Sequence, residues 1–325
     1  MIRALATVLV SSVWAFLSKL SRVTSDRGWI RQTRLPVRVI SVGNFEVGGT
    51  GKTPVVAALA REALGRGFHP VVLTRGYRGK WESTGGVIAP RQASVSGSEE
   101  IDPFQVGDEP CLLHDLVPEA WVGIGADRVA SFWRVRQDAE RRQLPSPDLA
   151  ILDDGLQHHC LSRDVELVLM TSARPWQRVF REFPGFLRAP VLAAWTKGGS
   201  EPWGWRRFQE RIRVTWGQRA PEEATGLWLV TGVAQGQQVR RSLEAAGWRV
   251  DLHHDFKDHA GFERDQVRDI LEKAGSAGLK VALTGKDWVK WRALGVRRAE
   301  VEVFEPEMIL DEQGRRAWSR VLWGS

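Results

Sequence analysis

The sequence predicts an α/β protein: a mostly parallel sheet flanked by helices, followed by a second, smaller α/β unit. Three observations carry this. Apolar β-type runs alternate with helical patterns along the first part of the chain. One such run leads into a glycine-rich loop that closes in Gly-Lys-Thr and opens a helix. The alternation restarts beyond a polar stretch, Gln218 to Thr225, that reads as a linker. Strands that alternate with helices imply parallel pairing with helices on both faces.

The N-terminus is apolar. Fifteen uncharged residues separate Arg3 from Lys19, too few for a spanning helix, which needs about 20. Ile2, Leu5, Leu9, Val13, Phe16 and Leu20 fall on one helical stripe, with Arg3, Lys19 and Arg22 near its ends and Trp14 able to lie at headgroup depth. The pattern suits an interfacial helix lying in a leaflet. A signal peptide would need a small-residue cleavage site, which Phe16-Leu17-Ser18 supplies poorly. A helix packed into the core is the competing reading. The expected organisation is a membrane-associated amphipathic helix over 1–25, a phosphate-loop domain over 26–220 and a smaller α/β domain over 221–325. The extreme C-terminus is expected to return to the first domain.

The first domain begins with the run Val37 to Val42, which enters the loop Ser41-Val-Gly-Asn-Phe-Glu-Val-Gly-Gly-Thr-Gly-Lys-Thr-Pro54. Such a loop offers backbone N–H groups and a helix N-terminus to phosphate oxygens. Val47, Gly48, Gly49, Thr50, Gly51, Lys52 and Thr53 form the cradle; Lys52 reaches the β/γ-phosphates and the Thr53 hydroxyl binds Mg²⁺. The fold expected is therefore P-loop NTPase-like. The usual pattern places Gly where this chain has Glu46. The helix over Pro54–Arg66 follows. Further strands are expected at Val71–Leu73, Trp121–Ile124, Leu149–Leu152, Val165–Leu169 and Val191–Trp195, with a helix at Arg128–Arg142. Lys80 to Pro103 reads as a loop or a small hairpin. In the second unit, strands at Leu227–Thr231, Trp248–Leu252 and Val281–Thr284 accompany a helix near Gln237–Ala246.

Composition narrows the function. Cys111 and Cys160 are the two cysteines, so no disulfide framework is implied, and no Cys/His spacing resembles a zinc site. The net charge is +7 and the pI about 9.8, which suits nucleic acid, an anionic membrane or a phosphorylated substrate. The arginines are scattered, which disfavours a nucleic-acid arm.

Leu149-Ala-Ile-Leu-Asp153-Asp154-Gly155 is an apolar strand ending in two acids. Beside a phosphate loop, such an acid holds Mg²⁺ directly or through water; Asp153 is the default and Asp154 a second. Thr74-Arg-Gly-Tyr-Arg-Gly79 fits either an anion-facing loop or a solvated turn. Val106-Gly-Asp108-Glu109-Pro110 has the residue types of an ordinary helix start. Asp258-His259 could pair a base with a carboxylate, and fits a surface pair as well.

Taken together, Gly-Asn-x-x-Val-Gly-Gly-Thr-Gly-Lys-Thr-Pro, Thr-Arg-Gly-Tyr, Gly-Asp-Glu-Pro, Asp-Asp-Gly-x-Gln-His and Thr-x-Lys-Asp resemble the tetraacyldisaccharide 4′-kinases of lipid A synthesis, in order and spacing over nearly the whole chain. The resemblance implies ATP-dependent phosphorylation of the 4′-hydroxyl of a disaccharide 1-phosphate carrying four acyl chains. It implies a monotopic enzyme at the cytoplasmic face of a bacterial inner membrane, in contact with anionic lipids and not with nucleic acid. It places ATP on Gly48 to Thr53, and Mg²⁺ near Thr53, Asp153 and Asp154. It makes Asp108 the base, His259 its partner, and Arg128 and Arg188 contacts to phosphate or developing charge. Three departures stand out. Ala189 replaces Glu in Leu-Arg-Glu-Pro, Ala260 replaces the second His of Asp-His-His, and Leu156 stands where Phe is common.

The alternative in a different class is a partner-regulated ATPase or GTPase switch. Dimerising ATPases carry Lys where Val47 stands, and neither Thr284-Gly-Lys-Asp287 nor Thr196-Lys-Gly198 matches the guanine-reading Asn-Lys-x-Asp.

Overall fold

The structure is a computed structural model that describes residues 2–26, 32–91, 101–182, 187, 190–221, 225–257 and 261–324. Helix α1 (Ile2–Asp26) precedes strand β1 (Arg38–Asn44), and the glycine loop turns the chain into α2 (Lys52–Gly65). There follow β2 (Pro70–Thr74), α3 (Trp81–Thr84), β3 (Gly86–Ile88), α4 (Pro103–Val106), α5 (Asp108–Leu116) and β4 (Trp121–Ile124). Then come α6 (Arg128–Arg142), β5 (Leu149–Asp153), β6 (Val165–Thr171), β7 (Val191–Lys197) and β8 (Glu210–Arg213). The eight strands lie in the order β3-β4-β2-β5-β1-β6-β7-β8. All pair in parallel except β3, which runs antiparallel to β4 at the edge.

Parallel strands buried on both faces read as continuous apolar runs, not as alternation. Ile40 of β1 accordingly sits between Ile151 and Val165 and is fully buried. One face packs against α2 and α5 through Val55, Leu59 and Leu113. The other packs against α6 through Phe132 and Val135. The segment expected as a loop or hairpin over Lys80–Pro103 supplies α3 and the edge strand β3, whose three residues are too few to show a period.

The chain leaves this sheet along β9 (Thr215–Gly217) and forms β10 (Leu227–Thr231), α7 (Gly236–Ala245), β11 (Val250–Asp255) and α8 (Arg264–Ser276). It continues through β12 (Lys280–Thr284), α9 (Gly285–Ala293) and β13 (Val301–Phe304). This second sheet, β11-β10-β12-β13, is parallel throughout. The chain returns along β14 (Glu307–Ile309), which pairs antiparallel with β9, so the outward and return crossings form one ribbon. Helix α10 (Glu312–Trp323) then packs on the first sheet, with Trp318 in the same apolar cluster as Ile212 of β8.

Helix α1 is amphipathic, and its orientation is inverted relative to a core helix. Leu9 and Phe16 are 66% and 64% exposed, and Val13, Leu17 and Leu20 are exposed with them. Among the residues of α1 whose side chains are described, the buried ones are Ser11 and Ser18. A helix packed into the core would bury the apolar stripe instead. Among the described residues, no helix is long and apolar enough to cross a membrane.

Candidate active site

The glycine loop lies at the carboxyl end of β1, where the strand order reverses between β5 and β6. Open parallel sheets bind ligands at such a point. Gly51, at φ +88°, ends the loop and starts α2, whose N-terminus carries no side-chain cap and no acid in its first turn. Its amide groups and dipole are therefore left open for an anion. A β-carbon added at Gly51 would lie 2.8 Å from the Trp216 ring, so both backbone angle and space require glycine.

Glu46, the departure from the usual pattern, is buried and ties the loop to its neighbours. Its carboxylate accepts from the Thr171 amide at 3.0 Å and pairs with Arg178 at 3.2 Å. Strand β7 holds the loop from the other side. Thr196 donates to the Thr50 carbonyl at 2.8 Å, and Lys197 donates to the Gly49 carbonyl at 2.9 Å and to Gln235 at 3.2 Å. Burial, with the Arg178 charge adding to it, lowers Lys197 to about 8.

Lys52 stands at the first position of α2, 3.4 Å from Asn44 Oδ1 and 3.6 Å from Asp154 Oδ1. Asp154, at φ +50°, occupies the left-handed region that asparagine and aspartate tolerate best. Arg181 clamps it through both terminal nitrogens at 3.0 and 2.9 Å and reaches Asn44 at 2.6 Å. Burial would raise the Asp154 carboxyl, but Lys52 and Arg181 overcome it and hold the group near 2. Asp153 behaves oppositely. It is buried, takes one hydrogen bond from Thr74 at 3.0 Å, and rises to about 7 through burial and the charges of Glu109 and Asp154. The two adjacent acids are thus pushed in opposite directions, because Lys52 and Arg181 contact Asp154 directly whereas burial and the neighbouring acids outweigh the Lys52 charge at Asp153.

Thr53 is buried in the first turn of α2. Arg128 is also buried; it donates through Nη1 to the carbonyls of Gly125 and Ala126 at 2.8 and 3.1 Å. Burial lowers its pKa, and Asp153 and Asp154 act on it in the opposite sense. Arg128 is therefore electrostatically coupled to the acid pair. Asp108 begins α5 and lies 3.5 Å from Lys290 of α9. Its neighbour Glu109 pairs with Lys286 at 2.7 Å and is acted on by Lys52 and Asp154 as well. Glu109 is thus part of the acid cluster that the sequence reading confined to Asp153 and Asp154. Its adjacency to Asp108 was the available signal. Asn44 and Arg181 were likewise missed: Asn44 lay inside the quoted motif, whereas nothing local marks Arg181. Arg188, Ala189, Asp258 and His259 lie outside the described residues, so the expected Asp108–His259 pair has no geometry here. Leu156, the small departure, packs on Gly43 and is fully buried beside Phe45 and Val168.

A strand, a glycine loop, an uncapped helix beginning with Lys-Thr and an acid-ended neighbouring strand define a P-loop phosphotransferase site. The sequence profile of one family, tetraacyldisaccharide-1-P 4′-kinase (LpxK), matches residues 3–320. The tetraacyldisaccharide 4′-kinase of Alkalilimnicola ehrlichii is 31% identical over 310 residues, covering 91% of this chain and 86% of the relative. That of Cytophaga hutchinsonii is 30% identical over 310 residues, covering 86% and 83%. The crystal structure of LpxK from Aquifex aeolicus in complex with ATP shares the fold, with a TM-score of 0.71 at 22% identity over 99% of this chain and 100% of that one. The chain belongs to the tetraacyldisaccharide-1-P 4′-kinase family.

Proposed function

We propose that this chain transfers the γ-phosphoryl group of ATP to the 4′-hydroxyl of a tetraacylated disaccharide 1-phosphate, giving the 1,4′-bisphosphate. The observation that carries the reading is the open N-terminus of α2 with Lys52 beside it, in a chain of this family. Phosphoryl transfer needs positioning and charge stabilisation more than covalent chemistry. Gly48 to Thr53 wrap the phosphates, and Lys52 neutralises charge near the γ-phosphate. Arg128 and Arg188 meet phosphate or developing charge. Asp108 accepts the sugar hydroxyl proton, with His259 as its partner. The chemistry divides between residues 26–220, which carry the phosphate loop, and residues 221–325, which carry His259.

The residues suit Mg²⁺. Asp153 sits near 7 because burial and two neighbouring acids outweigh the Lys52 charge, an imbalance that a divalent cation would relieve. Among the described residues no three His, Cys, Asp or Glu side chains converge on one point. A cation there would be held by Thr53, Asp153 and Asp154 together with phosphate oxygens, the usual arrangement for this ion. When bound it would supply charge neutralisation at the β- and γ-oxygens.

The exposed apolar face of α1 supports a peripheral position on the cytoplasmic leaflet of the inner membrane, where an acylated acceptor would lie and anionic lipids would attract the basic chain. Two measurements test the proposal. Purified protein, labelled ATP and the acylated disaccharide 1-phosphate should yield labelled lipid on chromatography; ATP hydrolysis with no labelled lipid would favour the nucleotide switch. Deleting residues 1–22 should abolish flotation with anionic vesicles while circular dichroism stays native. A folded, truncated protein that still floats would remove α1 as the anchor.

A further inference from the structure

Residues 178–182 form a strap between α1 and the phosphate loop, and each of its residues is bonded to one or the other. Arg178 pairs with Glu46, and the Val179 carbonyl accepts from the Val47 amide at 2.8 Å. The Phe180 amide donates to Ser11 Oγ of α1 at 3.0 Å. The Arg181 amide donates to the Phe45 carbonyl at 2.6 Å, while its guanidinium holds Asp154 and Asn44. Glu182, fully buried, accepts from Ser18 Oγ of α1 at 2.8 Å and lies 3.4 Å from His159 Nε2. Arg178 and Arg181 thus face the phosphate loop, and Phe180 N and Glu182 face α1. Ser11 and Ser18, the buried serines among the described residues of α1, are the two that the strap bonds.

Lys52 and Arg181 share both acceptors, Asn44 Oδ1 and Asp154 Oδ1. With Arg181 in place, Asp154 is already neutralised by a fork it fits, and Lys52 at 3.6 Å is held loosely enough to turn to a phosphate. Without Arg181, Lys52 is the cation left beside Asp154 in these contacts and is drawn towards it. We propose that Arg181 is a positioning residue for phosphoryl transfer, and that Glu182 and Ser18 fix it in place from α1. The helix that faces the lipid and the loop that holds ATP are then set by one strap. The inference deepens the kinase reading and rests on it for its turnover arm alone.

The test measures kcat and KM with ATP and acceptor, and ATP affinity by calorimetry without acceptor, for R181A, R181K, S18A and the double variant S18A/R181A. Folding is followed by circular dichroism. R181A should lose about 10–100-fold in kcat, as outer partners of catalytic carboxylates do, and should bind ATP more weakly. R181K should recover little, because an ammonium lacks the fork. S18A removes the hydroxyl's hydrogen bonds to Glu182 and His159 and should lose about fivefold in kcat while floating with anionic vesicles as the parent does. The double variant should be no worse than R181A, because both changes act along one route. If R181A does not fold, R181K and S18A carry the same comparison. Full activity in R181K, parental kcat in S18A, or losses that multiply in the double variant would overturn the proposal. A parent inactive on the acceptor, with ATP affinity falling in R181A, would sink the kinase reading and keep the strap. An active parent whose variants bind and turn over normally would do the reverse.

Discussion

The two parallel sheets present the same device at their carboxyl edges, a strand that turns through glycine into a helix, yet one edge is left open. In the first sheet α2 begins after Gly51 with no capping side chain and no acid in the first turn. In the second sheet the chain's own carboxylates occupy the corresponding places. Asp287 accepts from the Gly232 amide at 3.1 Å and from Thr284 Oγ1 at 2.7 Å. The Asp255 carboxylate lies against Gly236 at the start of α7, 2.0 Å from where a β-carbon would stand. Glu305 fills the same position against Gly285 at the start of α9, and the Gly285 amide bonds to it. A helix N-terminus already neutralised by a carboxylate has little left for a phosphate. Both edges share the strand–glycine–helix device, and they differ in whether a carboxyl group of the chain itself fills the place beside the helix start.

The largest effect should come from removing the cation at the open edge. Lys52→Ala should lower kcat by about 10²–10³, the loss typical of one preorganised stabilising group, with circular dichroism unchanged. Near-parental turnover in a folded variant would show that the open N-terminus of α2 is not the phosphate site. Gly51→Ala should abolish ATP binding through geometry instead, since φ +88° and the Trp216 ring both reject a β-carbon. Retained calorimetric affinity in that variant would mean that the loop rearranges freely.

The next effect lies where the two sheets meet. Helices α5 and α9 join them through Asp108–Lys290, Glu109–Lys286 and Asp115–Arg292. If Asp108 is the base, Asp108→Asn should lose most of kcat and keep ATP affinity, because an amide cannot accept the hydroxyl proton. His259→Ala should lose less, and the double variant should fall well short of additive, since the two act as one unit. Additive losses, or ATP affinity that falls with kcat in Asp108→Asn, would assign Asp108 to the α5–α9 junction through Lys290.

What the sequence disclosed follows from how local each signal is. The glycine loop, Lys52, Thr53 and the acid pair at 153–154 are contiguous with the strands that place them, so residue types and spacing were sufficient. The central strands were legible because burial on both faces leaves uninterrupted apolar runs, as at Val37–Val42. Strands β3, β9 and β14 were not, since three residues carry no period. Arg181 and Asn44 are 137 positions apart and meet only through the sheet. Glu109 was visible as a residue type, but its acid role depends on α5 being aimed at Asp153, which no spacing encodes. The apolar stripe of α1 is legible from its helical spacing. That its serines face the protein required the partners Phe180 N and Glu182.

The smallest effect sharpens the contrast between the edges, because it concerns an anion that the protein supplies to itself. Burial raises Glu305 to about 7, with the nearby Asp115 charge acting in the same sense and Arg61 and Lys286 opposing it. Its Oε1 atom is buried without a hydrogen-bond partner among the described residues. A carboxyl whose folded value lies above its unfolded one favours the folded state while protonated. The benefit is full below about 4.5 and is lost as pH rises through about 7. Above that, the ionised group is a net cost of order 1–3 kcal/mol, since each unit corresponds to about 1.4 kcal/mol. Glu305→Gln keeps the shape and removes the charge. It should raise the unfolding midpoint at pH 8, and the gain should shrink to nothing near pH 4, where the parent is itself neutral. Denaturant unfolding at the two pH values measures this directly. A variant destabilised equally at both would show that Glu305 is held as an anion by Gly285 and the neighbouring cations, and that the second edge is closed by a bound charge and not merely by a filled space.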